Sequence, residues 1–161
     1  MVRTNKNGIK IYGEEDFAGM RKAGQVAAQC LDYIADYVKV GVSTGELDDL
    51  CNEFMKSKGA VSACIGYHGY PKATCISINQ VICHGIPDYE RKLADGDILN
   101  IDVTAIVDGY FGDTSRMYFA GKPKIKGKRL CDVTYECMMR GIDVVKPGAH
   151  FGDIGAVIEE Y

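Results

Sequence analysis

Residues 97–119 read Asp97-Ile-Leu-Asn-Ile-Asp-Val-Thr-Ala-Ile-Val107, then Asp108-Gly109, then Tyr110-Phe-Gly-Asp-Thr-Ser-Arg-Met-Tyr-Phe119. Two runs rich in β-branched and aromatic residues joined by Asp-Gly predict a β-hairpin. A two-residue turn at Asp108-Gly109 sets the register, so that Val107 faces Tyr110, Thr104 faces Asp113 and Asp102 faces Ser115. Side chains alternate across a strand, which gives Leu99, Ile101, Val103, Ala105 and Val107 one aliphatic face and leaves Asn100, Asp102 and Thr104 on the other. The aliphatic face is predicted core. Asp113 then lies diagonal to Asp102 on the polar face, at a spacing of about 7–8 Å from which two side chains converge on one centre. Two carboxylates with no cation beside them repel. Either they are solvated, or they hold a hard cation or share a proton.

The rest of the composition narrows the setting. A length of 161 residues suits one domain, and 47% hydrophobic residues supply a core. The net charge of −3 gives no general attraction for nucleic acid or anionic membrane. The seven cysteines, Cys30, Cys51, Cys64, Cys75, Cys83, Cys131 and Cys137, form no Cys-x-x-Cys pair. They indicate neither a disulfide framework nor a zinc finger, and a reducing cytoplasm is the expected location. No stretch is long and apolar enough to span a bilayer, and no apolar run follows the basic N-terminal residues.

Working outward, residues 1–13 read as a polar arm. Phe17, Met20, Ala23, Ala27, Leu31, Ile34 and Val38 recur at helical spacing after an acidic first turn at Glu14-Glu15-Asp16, so a helix is expected from Glu14 to about Val40-Gly41. Ser43-x-x-Glu46 is a capping box opening a second helix, with Leu47, Leu50, Cys51 and Phe54 inward and Lys58-Gly59 at its close. Residues 64–70 read as loop, 74–79 and 81–84 as strands, 88–96 as a charged turn. After Gly121 a basic loop, Lys122 to Arg129, leads to a third helix expected over about 130–145. Those basic residues suit a solvated loop better than a contact with ribosomal RNA.

A second signal organises the chain. Val38-Lys-Val-Gly-Val-Ser-Thr-Gly-Glu-Leu47 aligns without gaps on Val145-Lys-Pro-Gly-Ala-His-Phe-Gly-Asp-Ile154. This is the mark of a duplicated unit, with one repeat over about 14–121 and the start of another over about 128–161. The second copy is expected to stop before its own strands.

Three histidines are present. Cys83-His84-Gly85-Ile86-Pro87 sets an imidazole at a strand end beside two turn-forming residues, a place from which it can overhang a neighbouring site. Taken alone, such a histidine is more often structural. His68 lies in the loop Gly-Tyr-His-Gly-Tyr-Pro. Tyr67 and Tyr70 there, with Cys64 and Cys75, offer an apolar, sulfur-friendly lining that accepts a thioether, or else a loop packed on the sheet by its tyrosines. His150 falls at the corner of the repeat and is expected to be structural.

Together these segments resemble a known family. Tyr67-His68-Gly69-Tyr70-Pro71, Cys75-Ile76-Ser77-Ile78-Asn79, Cys83-His84-Gly85-Ile86-Pro87, Gly96-Asp97-Ile98-Leu99-Asn100-Ile101-Asp102-Val103-Thr104 and Gly112-Asp113-Thr114-Ser115 are similar, in order and spacing, to motifs of bacterial-type methionine aminopeptidases. The resemblance runs from about Glu14 to Tyr161. It implies an α+β, pita-bread fold, in which two related halves, each an antiparallel sheet with helices on one face, share a dinuclear metal site.

By the same resemblance Asp102 and Asp113 are metal ligands, the second bridging two divalent ions, for which cobalt, manganese, iron or zinc would serve. His84 is catalytic and also touches substrate. Cys64, Tyr67, Tyr70 and Cys75 belong to the methionine pocket, and His68 stands beside the next subsite. Asn79 and Val81 are backbone ligands of an auxiliary sodium or potassium ion, which the resemblance allows. The implied activity is removal of N-terminal methionine, chiefly before a small residue. The implied partners are nascent polypeptides beginning with methionine, with an encounter at the ribosome left open, and neither a specific nucleic acid nor a membrane. The complete protein is expected to be a monomer.

The family's remaining ligands, one histidine and two glutamates, match nothing in residues 1–161, so this chain alone is expected to be inactive. The alternative from another class is a non-catalytic pita-bread domain that binds a peptide or partner. A third reading, cleavage before proline or of a small metabolite, fits the Cys64, Tyr67, Tyr70 and Cys75 pocket less well.

Overall fold

In the computed structural model residues 3–161 are described. The chain divides into two compact units, Met1–Lys122 and Pro123–Tyr161. The first contains α1 (Glu14–Ile34), a 3-10 turn (Ala35–Tyr37), α2 (Thr44–Ser57), β1 (Val61–Ser62), a second 3-10 turn (Tyr67–Gly69), β2 (Cys75–Ile78), β3 (Ile98–Val107) and β4 (Tyr110–Phe119); the second contains α3 (Ile125–Asp143) and α4 (Phe151–Glu160).

The hairpin is the centre of the first unit. Asp108 (φ 51°) and Gly109 (φ 83°) both take left-handed backbone, as a two-residue turn of this hand requires, and Asp is one of the few side chains that tolerates it. The register follows: Val107 pairs with Tyr110, Thr104 with Asp113 and Asp102 with Ser115. All strand pairs are antiparallel, and β4 takes one edge of β3 while β1 and β2 share the other end to end. Leu99, Ile101, Val103, Ala105 and Val107 are buried, and Ile76 and Ile78 of β2 join them on the same face.

Helix α1 covers that face by running along β4. The Tyr110 hydroxyl meets Asp16 at 3.2 Å, the Tyr118 hydroxyl donates to the Leu31 carbonyl, and Arg116 pairs with Asp32 at 2.7 Å. All three β4 residues are even-numbered, as is Gly112 between them. A Cβ on Gly112 would lie 2.2 Å from the Ala23 carbonyl carbon, so its absence lets the helix axis come down onto the strand. The buried stripe of α1 is Ala23, Val26, Ala27, Cys30, Leu31 and Ile34. Phe17 and Met20, expected inside, are exposed because the helix is turned to bring Asp16 and Gly19 over Tyr110.

Helix α2 begins as expected. Ser43 accepts from the Glu46 amide at 3.2 Å while Glu46 accepts from the Ser43 amide at 2.8 Å, and Leu47, Cys51 and Met55 face the core. Two expectations are corrected. Residues 81–84 are not a strand: Asn79 turns left-handed, the Val81 amide closes a turn onto the Ile78 carbonyl at 3.1 Å, and Ile82 is exposed. Residues 122–129 are not all loop, since α3 already begins at Ile125.

In the second unit, α4 opens with the Asp153 carboxylate accepting from the His150 amide at 2.8 Å. Ser43 and His150 are the aligned residues of the sequence repeat, as are Glu46 and Asp153. Gly41 (φ 92°) and Gly148 (φ 91°) also occupy matching positions, so the two corners share one backbone conformation. No helix among the described residues is long and apolar enough to cross a membrane.

Candidate active site

The face of the hairpin away from α1 carries Asn100, Asp102, Thr104, Asp113 and Ser115. Asp102 is half-buried and Asp113 exposed, and they meet as the register requires. Burial is the first cause that holds the Asp102 carboxyl above its ordinary range, the charge of Asp113 raises it further, and His84 pulls the other way. No lysine or arginine among the described residues forms a salt bridge with either carboxylate. A half-buried carboxylate beside an exposed one, without a cationic side chain and with an imidazole nearby, has the oxygen-rich donor chemistry that a divalent cation requires. Among the described residues it is a partial ligand set, since no group of three or more His, Cys, Asp or Glu side chains converges for a metal.

Beside this pair lies a cavity of about 480 Å³. Cys64, Tyr67, His68, Tyr70, Cys75 and His84 all line it, together with Gly69, Pro71 and Ile86. Cys75 stands in register with Asp102, which brings the cavity wall against the carboxylates. Burial pushes both the Cys64 and Cys75 thiols up, which favours their neutral form. The Tyr67 and His68 rings meet edge to face at 4.4 Å.

The Tyr70 hydroxyl lies 3.0 Å from the Thr74 carbonyl and 3.1 Å from that of Gly85, and so ties the pocket loop to both β2 and the His84 segment. That segment is held against β2 without being a strand. The Ile76 amide donates to the Gly85 carbonyl at 2.8 Å and the Gly85 amide to Ser77 Oγ at 3.1 Å. A Cβ on Gly85 would fall 2.2 Å from the Ile76 carbonyl oxygen.

Four non-glycine residues among those described have left-handed backbone: His68, Asn79, His84 and Asp108. Three are candidate site residues and the fourth turns the hairpin that holds the carboxylates. Such conformations persist only where neighbours enforce them, and they gather at working sites. Asn79 and Val81 flank one turn, where Asn79 Nδ2 donates to Asp97 at 2.7 Å and the other Asp97 oxygen accepts from the Ala94 amide at 2.9 Å.

One residue that shapes the cavity gave no signal in the sequence. Asp48 of α2 is buried and accepts from the Ala73 amide at 3.3 Å, the Thr74 amide at 2.7 Å and the Thr74 hydroxyl at 2.7 Å. It anchors the chain where β2 begins, one residue before Cys75. Within a helix, one more acid among several looks like a solvated surface.

Residues 18–161 match the model of metallopeptidase family M24. The chain belongs to metallopeptidase family M24. It is 56% identical over 153 residues to the methionine aminopeptidase of Rickettsia prowazekii, covering 95% of this chain and 59% of that relative. With the methionine aminopeptidase of Escherichia coli K12 it shares 55% identity over 154 residues, covering 95% of this chain and 58% of the other. The crystal structure of the Rickettsia prowazekii enzyme superposes with a TM-score of 0.92 at 52% identity, over all of this chain and 62% of that one. The M24 chain has the pita-bread fold, an antiparallel sheet with helices on its core face. It spans about three fifths of the length of the curated relatives it matches.

Proposed function

We propose that this M24 chain carries the first part of a methionine aminopeptidase site, which removes the initiator methionine from polypeptides whose second residue is small. The observation that carries the reading is the adjacency of the Asp102–Asp113 pair to a cavity walled by Cys64, Tyr67, Tyr70 and Cys75. The carboxylates supply part of the oxygen ligation that divalent cations require, for which manganese, iron, cobalt or zinc would serve, and Asp102 and Asp113 would both hold them. When bound, such ions polarise the scissile carbonyl and bring the pKa of a water toward neutrality.

The chain's own residues do the rest. The cavity accepts an unbranched thioether by dispersion and sulfur–aromatic contact, which a charged or β-branched side chain would not match. His84, fixed by Gly85 and Tyr70 over the rim, donates a hydrogen bond to the substrate carbonyl as it gains negative charge. His68 flanks the position of the second residue. The Asn79 and Val81 carbonyls, on one turn braced by Asp97, would hold a sodium or potassium ion away from the chemistry. Substrates would be nascent chains in the cytoplasm, near the ribosome, met by a monomer.

The ligands supplied by this chain are two carboxylates, too few for two cations. The 161-residue chain is therefore expected to release no methionine from Met-Gly-Ser or Met-Ala-Ser with excess manganese or cobalt, and a chain extended to its relatives' length is expected to release it. Robust release by the short chain would overturn the reading, as would failure of the extended, metal-loaded chain.

A further inference from the structure

All seven cysteines are free; Cys30 touches Cys51, and Cys64 and Cys75 line one cavity. Cys30 and Cys51 are sealed in the core between α1 and α2, where the Cys30 thiol points at the Cys51 carbonyl at 3.7 Å, out of reach of reagents. Cys64 and Cys75 differ. Strands β1 and β2 meet the same edge of β3, with the Ala63 amide donating to the Thr104 carbonyl at 2.9 Å and Cys75 in register with Asp102. The loop between them thus leaves and returns at neighbouring positions of β3, and the two cysteines stand at its neck. Both side chains open into the same cavity, and each thiol is close enough to perturb the other. Cys64 is half-exposed, whereas Cys75 is 8% exposed.

We propose that Cys64 and Cys75 are a redox-active dithiol, a modification site at which a small disulfide such as glutathione disulfide converts the pair reversibly into an intrachain disulfide across the neck of the pocket loop. Cys64, the more accessible, loses its proton and attacks one sulfur of glutathione disulfide, breaking that S–S bond and releasing one glutathione. Cys75 then loses its proton and attacks the Cys64 sulfur of the mixed disulfide, expelling the second glutathione. The two thiols are oxidised to one S–S bond and one glutathione disulfide is reduced to two thiols. Drawing the sulfurs to about 2.05 Å tightens the neck and removes both thiols from the cavity lining. The inference stands on the geometry of the neck and is independent of which side chain the cavity accepts.

The test oxidises the folded 161-residue chain with glutathione disulfide, blocks remaining thiols with an alkylating agent and maps tryptic peptides by mass spectrometry. Residues 59–72 carry Cys64, and residues 73–91 carry Cys75 and Cys83. The expected product is peptide 59–72 joined to 73–91 through Cys75, reversed by dithiothreitol, retained in Cys83→Ala and lost in Cys64→Ser. In urea the link should give way to mixed pairings. Glutathione on Cys83 alone, with Cys64 and Cys75 both alkylated, would overturn the proposal, as would a link between Cys75 and Cys83. Both outcomes are read in the unsubstituted chain, so they hold however the variants fold.

Discussion

Asp48 shows how much one buried side chain decides. Its carboxylate satisfies three donors where β2 begins, and Asp48→Ala would leave the Ala73 amide, the Thr74 amide and the Thr74 hydroxyl without that acceptor. Each such loss costs roughly 1–3 kcal/mol, so the variant should unfold at clearly lower urea. The pH dependence has a definite sign. Burial, the largest cause, raises this carboxyl above 3.8, so the folded chain holds the proton more tightly than the unfolded one. Its contribution to stability is greatest below 3.8 and declines as pH rises through the folded value. The cost of Asp48→Ala should accordingly be larger in acid than at neutrality, by urea unfolding at both. An equal cost at both would show that Asp48 is not proton-linked to folding.

At the scale of elements, the packing of α1 on β4 depends on an absent side chain. Gly112→Ala would set a methyl 2.2 Å from the backbone of Ala23, which cannot rotate away. The helix must lift, and overpacking of this kind costs about 1–3 kcal/mol. Gly24→Ala is the matched control, since a Cβ there meets nothing within 4 Å and a helical alanine is favoured by about 1 kcal/mol. Thermal unfolding should move down in the first variant and up in the second. A Gly112→Ala chain that melts unchanged would mean that α1 does not press on the strand.

The hairpin and the α2 capping box were readable in the sequence because each is set by a few adjacent residues: the Asp-Gly turn, period-two alternation, and Ser43 with Glu46. The rotation of α1, with Phe17 and Met20 outside, was not readable, because it answers to Gly112 and Tyr110 roughly ninety residues away. The apolar run at 81–84 failed for a related reason. An apolar run makes a strand only where an edge is free to pair with it, and here the Val81 amide closes a turn onto Ile78 while Gly85, past the run, is the residue that accepts a backbone bond from Ile76 of β2.

At the largest scale, the gathering of six cavity residues beside two carboxylates comes from both edges of β3. Residues 63–74 leave β3 and return to it, the His84 segment folds back on β2, and the hairpin brings Asp113 under Asp102. The residue types of the site were legible because the motifs are short and contiguous. Their grouping into one pocket was read from the residue types and the resemblance, whereas the way β1 and β2 share one edge to build it was not. The left-handed backbone at His68, Asn79 and His84 was hidden too, since none of these residues is a glycine.

On the proposed reading, Asp102 and Asp113 are the metal-holding carboxylates of a peptidase site. Methionine release from Met-Ala-Ser, measured with excess manganese on a chain extended to its relatives' length, compared with the same chain carrying Asp113→Asn, tests it most directly. An amide cannot bridge two cations, yet it removes a like charge from beside Asp102, so the fold should be kept. The account predicts that the substitution abolishes release without lowering the unfolding midpoint of the metal-free protein. Release persisting in the Asp113→Asn chain at the unsubstituted rate would contradict it.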